Sequence, residues 1–454
     1  MGHESAVLDE MTETESPQEN SAREILSGLP DDNANDLPRW FQERQAEAWS
    51  RFTSLPMPNR KDQPWRFSSV NALDLEPFIF GDSPNEEARA EILELSHSLD
   101  QVAGRLIFAD NFLLRRDPLP ELLTRQGVIL KPLERGLLEH EDLFRKYFIA
   151  RPTPLGSAKF AALHEALVRA GTFLYIPRGV EVELPIEVFH WLNVENASVF
   201  PHTLLIADEM SKVTLVEHFR SSQKGRGGFS CGVNDLVVGR GAKVTYVCAQ
   251  NWDEKVLSIQ MNATTVERDA SALSLNLNLG GAYSRFESFS RLAGEGARSD
   301  LLAVAVAQGA QEFDARTLQD HASPHTTSDL LYKNSLSDKS RTTFGGLIRV
   351  EPHAHFTDAY QTVRNLLLSD DAEANSMPGL EILADNVKCS HGATSGQLNE
   401  EELFYLLARG IPKNVAQHLL VAGFLDEVVQ RLNQPKISAK LHDMIEEKFS
   451  RSTR

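Results

Sequence analysis

Between about Gly171 and Gly396 the chain shows short runs whose residues alternate between two faces, each opened by a small or turn-forming residue. Examples are Asn196-Ala-Ser-Val-Phe, Gly241-Ala-Lys-Val-Thr-Tyr-Val, Asp269-Ala-Ser-Ala-Leu-Ser-Leu, Gly281-Ala-Tyr-Ser-Arg-Phe, Gly296-Ala-Arg-Ser-Asp-Leu-Leu and Gly309-Ala-Gln-Glu-Phe. From Gly241 onward their starts are repeatedly separated by about 12 to 15 residues, or about twice that. Alternation with period two marks strands with distinct faces. A propeller blade needs a longer unit, and a hairpin sandwich would carry more two-residue Asn-Gly or Asp-Gly turns. The pattern predicts parallel strands stacked along one axis, each coil burying apolar surface only against its neighbours, as in a β-helix or similar solenoid.

On either side of this region the apolar period lengthens to three or four residues. A helix is expected from Asp36 as N-cap to Leu55, with Pro38 in its first turn and Trp40, Phe41, Ala48, Trp49 and Phe52 on one face. A second should follow Ser83-Pro84 with Ala88, Ile92, Leu95 and Leu99 in phase, and a third should cover Ser157 to Arg169. The apolar runs Arg105 to Leu114 and Gly127 to Leu130 between them make this an α+β region. After the strands, Asn399 and Glu402 form a capping box ahead of Leu403, Phe404, Leu406 and Leu407, and Gly410 with Pro412 supplies a stop and a restart. Val415, Ala416, Leu419, Leu420, Val428, Val429 and Leu432 continue in helical phase, then Ile437, Leu441, Met444, Ile445 and Phe449. These stripes suit packing onto the end of the solenoid, covering its open edge, or docking a partner. The chain thus divides into a leader over 1–35, an α+β region over 36–170, the solenoid over 171–396 and a helical domain over 397–454.

Composition adds limits. At 454 residues, with 41% hydrophobic and 24% charged residues, the chain has globular proportions and exceeds one ordinary core. A formal charge of -18 disfavours nucleic acid and anionic membrane surfaces as partners. Much of that charge lies before Leu37, where Glu4, Asp9, Glu10, Glu13, Glu15, Glu19, Glu24, Asp31, Asp32 and Asp36 face only Arg23, and a disordered acidic leader is expected there. With neither a secretory pattern nor a long apolar run, the expected location is cytoplasmic. Cys231, Cys248 and Cys389 cannot all pair and show no CxxC spacing, which disfavours a disulfide framework or a closed zinc site.

The sequence has no GxxxxGK[ST] phosphate loop and no HExxH, so nucleotide hydrolysis and zinc proteolysis are not expected of it. What remains is a group of late residues: His321, His325, His353, His355, Cys389 and His391. On a strand, residues two apart share a face, so His353 with His355 and Cys389 with His391 could each project together. Imidazole and thiolate suit iron, zinc or copper, yet two ligands leave a site incomplete within one chain. The plainer alternatives are a hydrogen-bonded turn beside Pro352 for the first pair and a buried small hydrophobe for Cys389. His391 stands out because Cys389-Ser-His-Gly-Ala-Thr394 is built of small residues that permit close approach.

At this segment the sequence meets a known family. Asn386-Val-Lys-Cys-Ser-His-Gly-Ala-Thr-Ser-Gly-Gln-Leu398 followed by Leu403-Phe-Tyr-Leu-Leu-Ala-Arg-Gly-Ile-Pro412 resembles the SufB/SufD family. Phe160-Ala-Ala-Leu-His-Glu-Ala-Leu167, Tyr175-Ile-Pro-Arg-Gly179, Arg60-Lys-Asp-Gln-Pro-Trp-Arg66 and Leu420-Val-Ala-Gly-Phe-Leu-Asp-Glu427 extend the likeness. The resemblance implies a right-handed parallel β-helix core with flanking helical regions. It also implies a scaffold role in the SufBCD complex, where SufB and SufD pair through their β-helices and each terminal helical domain docks the ATPase SufC. Here the docking stretch would comprise Leu403, Phe404, Tyr405, Arg409, Gly410, Ile411, Pro412, Leu420, Gly423 and Phe424. A nascent iron-sulfur cluster would form transiently at the SufB/SufD interface, with His391, as a metal ligand or proton-handling group, and Cys389 as this chain's candidates.

Likeness to SufD exceeds that to SufB in two respects. SufB-like chains carry Glu after the histidine, where Gly392 stands here, and bring a cysteine shortly before their Pro-x-hydrophobic-Glu stretch, whereas Ser369 to Glu381 contains none. A homodimer could form where SufB is absent, and FADH2 remains unassigned. Outside the family reading, a β-helix lyase or transferase using His391 or His353 as general base, or a purely structural subunit, would also suit the pattern.

Overall fold

The residues that open the recurring runs are turn residues with left-handed backbone. Asn196, Gly241, Asp269, Gly281, Gly296 and Gly309 have φ of 58°, 66°, 56°, 92°, 73° and 62°. Glycine adopts this region without steric cost, which is why the signal reads as glycine at Gly241 and Gly296. Met210, His325, Asp338, Phe356 and Asn386 adopt it too. Backbone hydrogen bonds join one such corner to the corner a coil later, as from the Met210 N–H to the Arg240 carbonyl, His325 to His355 and Phe356 to Asn386.

The computed structural model describes residues 37–150 and 154–452. The acidic leader and the proposed Asp36 cap fall outside them; the first helix runs Arg39–Ser54 with Pro38 at its N-cap. From Gly171 to Gly396 the chain forms a parallel β-solenoid in which successive strands alternate between two sheets, of eleven and ten strands once the flanking strands are included. Each strand pairs in parallel with the strand one coil on, as Gly228 with Val256 and Arg341 with Glu373 in the first sheet, and Arg298 with Thr327 in the second. The half-coil and full-coil spacing of the sequence pattern thus corresponds to alternation between sheets and stacking within them.

Four layers result. Between the sheets lie Leu236, Val238, Val244, Tyr246, Cys248 and Trp252, and later Leu301, Ala303, Tyr332 and Phe344. The N-terminal region covers the outer face of the first sheet, where Phe41, Phe52, Phe144 and Phe160 pack on Phe173, Leu204, Phe229 and Ile259. It also closes the starting end: Phe112–Asp117 pairs antiparallel with Gly104–Ala109, and Ile129–Pro132 with Gly171–Ile176.

The C-terminal helices are Glu400–Leu407, Lys413–Gln430 and Pro435–Ser452. They do not cap the far end. Val421, Leu425, Val428, Val429, Ile437, Leu441, Met444 and Ile445 pack on Leu275, Leu277, Leu302, Val304 and Leu331, along the outer face of the second sheet. That face is itself apolar in alternate positions, so lying along it buries more surface than one coil end could offer. Among the described residues nothing covers the far end of the solenoid.

Candidate functional site

Two strands form that end, Glu373–Ile382 and Lys388–Gly396, each outermost in its sheet. Register fixes which side chains face the space between the sheets. One coil earlier, Ala359, Gln361 and Val363 are buried while Tyr360 is exposed. Cys389 pairs with Ala359 and His391 with Gln361, so both stand on the inward-facing side of the last strand. From the other sheet, Ser376, Leu380 and Ile382 continue the inward column of Phe344, Ile348 and Val350. Asn365 ties the two together, its Nδ2 donating to Ser376 Oγ at 3.3 Å and Ser395 Oγ at 3.1 Å. With no further coil on top, Leu380 and Ile382 are 37% and 41% exposed and His391 is exposed. The end is an apolar mouth with an imidazole on one lip and two unpaired strand edges.

Sharing a face does not give Cys389 and His391 the same surroundings. Cys389 is half-buried against the cluster of Ile348, Val350, Ala354 and Ala359, and burial, then the Asp358 carboxylate, pushes its thiol pKa up. His353 and His355 lie on a turn rather than a strand; His353 is exposed, and His355 bonds through Nδ1 to the Asp385 carbonyl at 3.0 Å. His325 is a left-handed corner residue whose ring stacks on Phe356 at 4.8 Å. His321 is buried between Thr326 Oγ1 and Ser328 Oγ, 2.8 Å from each, and burial lowers its pKa to about 4. Among the described residues no three His, Cys, Asp or Glu side chains could hold a metal ion together.

A second surface lies at the turn between the first two C-terminal helices. Asn399 caps Glu400–Leu407, its Oδ1 accepting from the N–H groups of Glu401 and Glu402 at 2.9 and 3.3 Å. None of that helix is buried; Phe404 and Tyr405 are 71% and 55% exposed, with Leu407, Val415 and Leu419 exposed beside them. The Arg409 guanidinium lies 3.4 Å over the Tyr405 ring, and Gly410 turns the chain at φ 80° before Ile411 and Pro412. Leu403, Ile411 and Leu420 are half-buried and Gly423 is exposed. Phe424 faces the sheet instead, its carbonyl accepting from Lys333 Nζ at 2.6 Å and its ring 4.4 Å from that nitrogen.

Sequence reasoning missed two buried charge clusters. Glu217 accepts from Thr203 Oγ1, Asn234 Nδ2 and Tyr246 Oη at 2.6 to 2.7 Å. Burial raises its pKa, but His190 and these donors together hold it below the ordinary range. Arg285 donates to Asp314 and Glu287 at 2.5 and 2.8 Å, to the carbonyls of Pro64 and Leu155, and lies 3.8 Å over the Trp65 ring. The second cluster locks the N-terminal region to the solenoid. Its members come from distant parts of the chain, so no local spacing signals it.

Two family models together span most of the chain. The one described as SUF system FeS cluster assembly, SufBD core domain, matches residues 190–424, and the SufBD protein N-terminal region matches residues 34–188. The chain is similar to the iron-sulfur cluster assembly protein SufB of Bacillus subtilis, 27% identical over 408 residues, covering 87% of this chain and 86% of that one. It is 29% identical over 426 residues to SufD of the same organism, covering 90% and 94%. A SufBD family protein of Staphylococcus epidermidis is 26% identical over 408 residues, covering 87% and 86%.

Proposed function

The chain belongs to the SufBD family of the SUF iron-sulfur cluster assembly system, and from that premise we propose that it serves as a SufD-type subunit. In this reading it pairs with SufB through the open end of the solenoid, receives the ATPase SufC on its C-terminal helices, and offers His391 to the place where a nascent cluster forms.

The observation that carries the reading is the combination, on one terminal strand, of an unpaired edge and an exposed imidazole without a companion scaffold cysteine. Unpaired strand edges are templates for pairing and an uncovered apolar mouth is costly to leave in water, so the end suits continuation of the sheets by a second chain. Neutral imidazole binds iron, and at its reference pKa of about 6.5 it also exchanges protons near neutrality. Half-buried Cys389 stands on the same face as a second candidate from this chain and Ser369 to Glu381 has no cysteine, so the remaining ligands to a cluster would come from SufB. The cluster is cargo here. The missing phosphate loop leaves ATP hydrolysis to SufC, for which the exposed apolar turn around Phe404 and Tyr405 is the candidate seat.

Co-expression with SufB and SufC, followed by size-exclusion chromatography and stoichiometry, tests the pairing. A complex holding SufB, SufC and this chain is expected, and Ile382→Glu should remove SufB while SufC stays bound. Undiminished SufB binding by a folded Ile382→Glu chain, or self-pairing in preference to SufB, would reject the assignment.

A further inference from the structure

At the end of the solenoid opposite His391, a cavity of about 790 Å³ opens between the strand Gly104–Ala109, the helix Leu133–Glu139 and the segment that leads into Gly171. Phe80, Phe108 and Phe112 supply aromatic walls, and Arg135 and Glu134 stand on the lining as exposed groups. Arg169 lines it as well. Its Nη1 is buried and has no hydrogen-bond acceptor, and no carboxylate among the described residues comes within ion-pair distance of it. Burial by itself lowers the guanidinium pKa.

Arg169 is half-buried, and its lack of a carboxylate partner sets it apart from the fully buried guanidinium groups. Arg105 pairs with Glu187 at 2.7 Å, Arg285 with Asp314 at 2.5 Å and Arg316 with Asp314 at 2.6 Å. A partly desolvated cation without a counter-charge is less stable than a paired one, and buried cations are ordinarily paired. The volume is that of a small-molecule site, and its lining mixes apolar side chains with the polar groups of Ser83, Asn111, Glu134, Arg135 and Arg169. A guanidinium fork fits a carboxylate or phosphate, and aromatic walls favour a flat apolar body next to it.

We propose that this cavity binds a small organic anion, its carboxylate or phosphate paired with Arg169 and its apolar body against Phe80, Phe108 and Phe112. The site lies apart from the open end and does not depend on the SufD assignment.

The test uses the full chain with four probes: phenyl phosphate, benzoate, inorganic phosphate and uncharged benzyl alcohol, followed by calorimetry and thermal unfolding. At least one aromatic anion should bind saturably, about tenfold or more tighter than benzyl alcohol and than inorganic phosphate. Which of the two aromatic anions wins distinguishes a phosphate from a carboxylate ligand. Arg169→Met should abolish the preference for the charged probes, and Arg169→Lys should keep part of it. In anion-free buffer Arg169→Met should melt no lower than wild type, because it removes an unpaired charge. Absence of saturable binding by either aromatic anion would overturn the proposal. So would equal binding by a folded Arg169→Met chain, or a lower melting temperature of that variant without ligand, which would reveal a structural partner for Arg169.

Discussion

Asp235 shows how far a single residue can depart from what its surroundings in sequence suggest. In the strand Gly228–Val238 it is a carboxylate buried beneath the N-terminal region, its Oδ2 accepting from the Ile149 N–H at 2.7 Å. His202 Nε2 lies 3.5 Å away, and Arg44 and Glu165 act from the covering helices. Burial raises its pKa to about 7, while His202 is held well below 6.5, first by burial and then by His164. Between the unfolded value of about 4 and the folded one, the native chain keeps a proton that the unfolded chain has lost, so stability falls as pH rises through that window. Asp235→Asn keeps the acceptor for Ile149 and removes the titration. Relative to wild type it should gain about 1 to 4 kcal/mol between pH 4.5 and pH 8 in urea unfolding. A pH-independent difference would mean that the carboxylate is ionised in the native state. Neither Asp235 nor Glu217 could be found from the sequence, because alternation separates two faces of a strand without saying that both are covered, and their partners come from other coils. The exposed imidazole of His391 could be singled out as a candidate for the opposite reason: its signal, an imidazole among small residues, is local.

At the scale of elements, periodicity located the helices closely, including Ile437, Leu441, Met444 and Ile445 as one buried face, but left their destination open. An apolar stripe records that a helix packs, not on which surface. The turn around Phe404 and Tyr405 remains uncovered after that packing, which separates two kinds of substitution. Phe404→Glu should weaken SufC association about tenfold or more with an unchanged melting temperature, since the side chain is 71% exposed. Leu425→Glu, set in the core under the helix, should cost about 3 kcal/mol or more and show it in unfolding. If the two variants lower SufC binding only in proportion to lost folding, the docking surface lies elsewhere. Asn399→Ala should cost about 1 kcal/mol of local helix stability, read as faster amide exchange over Glu400–Leu407 without global destabilisation. The strand repeat was legible because each coil needs a left-handed corner, and glycine, Asn and Asp occupy many of them. Met210, His325 and Phe356 occupy others and hide the period there.

For the whole molecule, a solenoid is a stack in which each coil is held by its neighbours, so its ends carry the exceptions. One end is closed by antiparallel strands and the other ends in two unpaired edges. Because the C-terminal helices lie along the second sheet, removing residues 397–454 would uncover Leu275, Leu277, Leu302, Val304 and Leu331 rather than a coil end. That truncation should make the protein insoluble or strongly dye-binding, and a soluble, native-like product would contradict the packing described here. The open end is where the proposed assembly role is decided. Iron and acid-labile sulfide should therefore be measured per complex after anaerobic co-purification with SufB and SufC, for wild type, His391→Ala and His353→Ala. Equal assembly with a marked loss of cluster in His391→Ala and a smaller effect of His353→Ala is the predicted result. Normal cluster yield from a properly assembled His391→Ala complex would contradict it and leave His391 as an ordinary residue at the mouth of the solenoid.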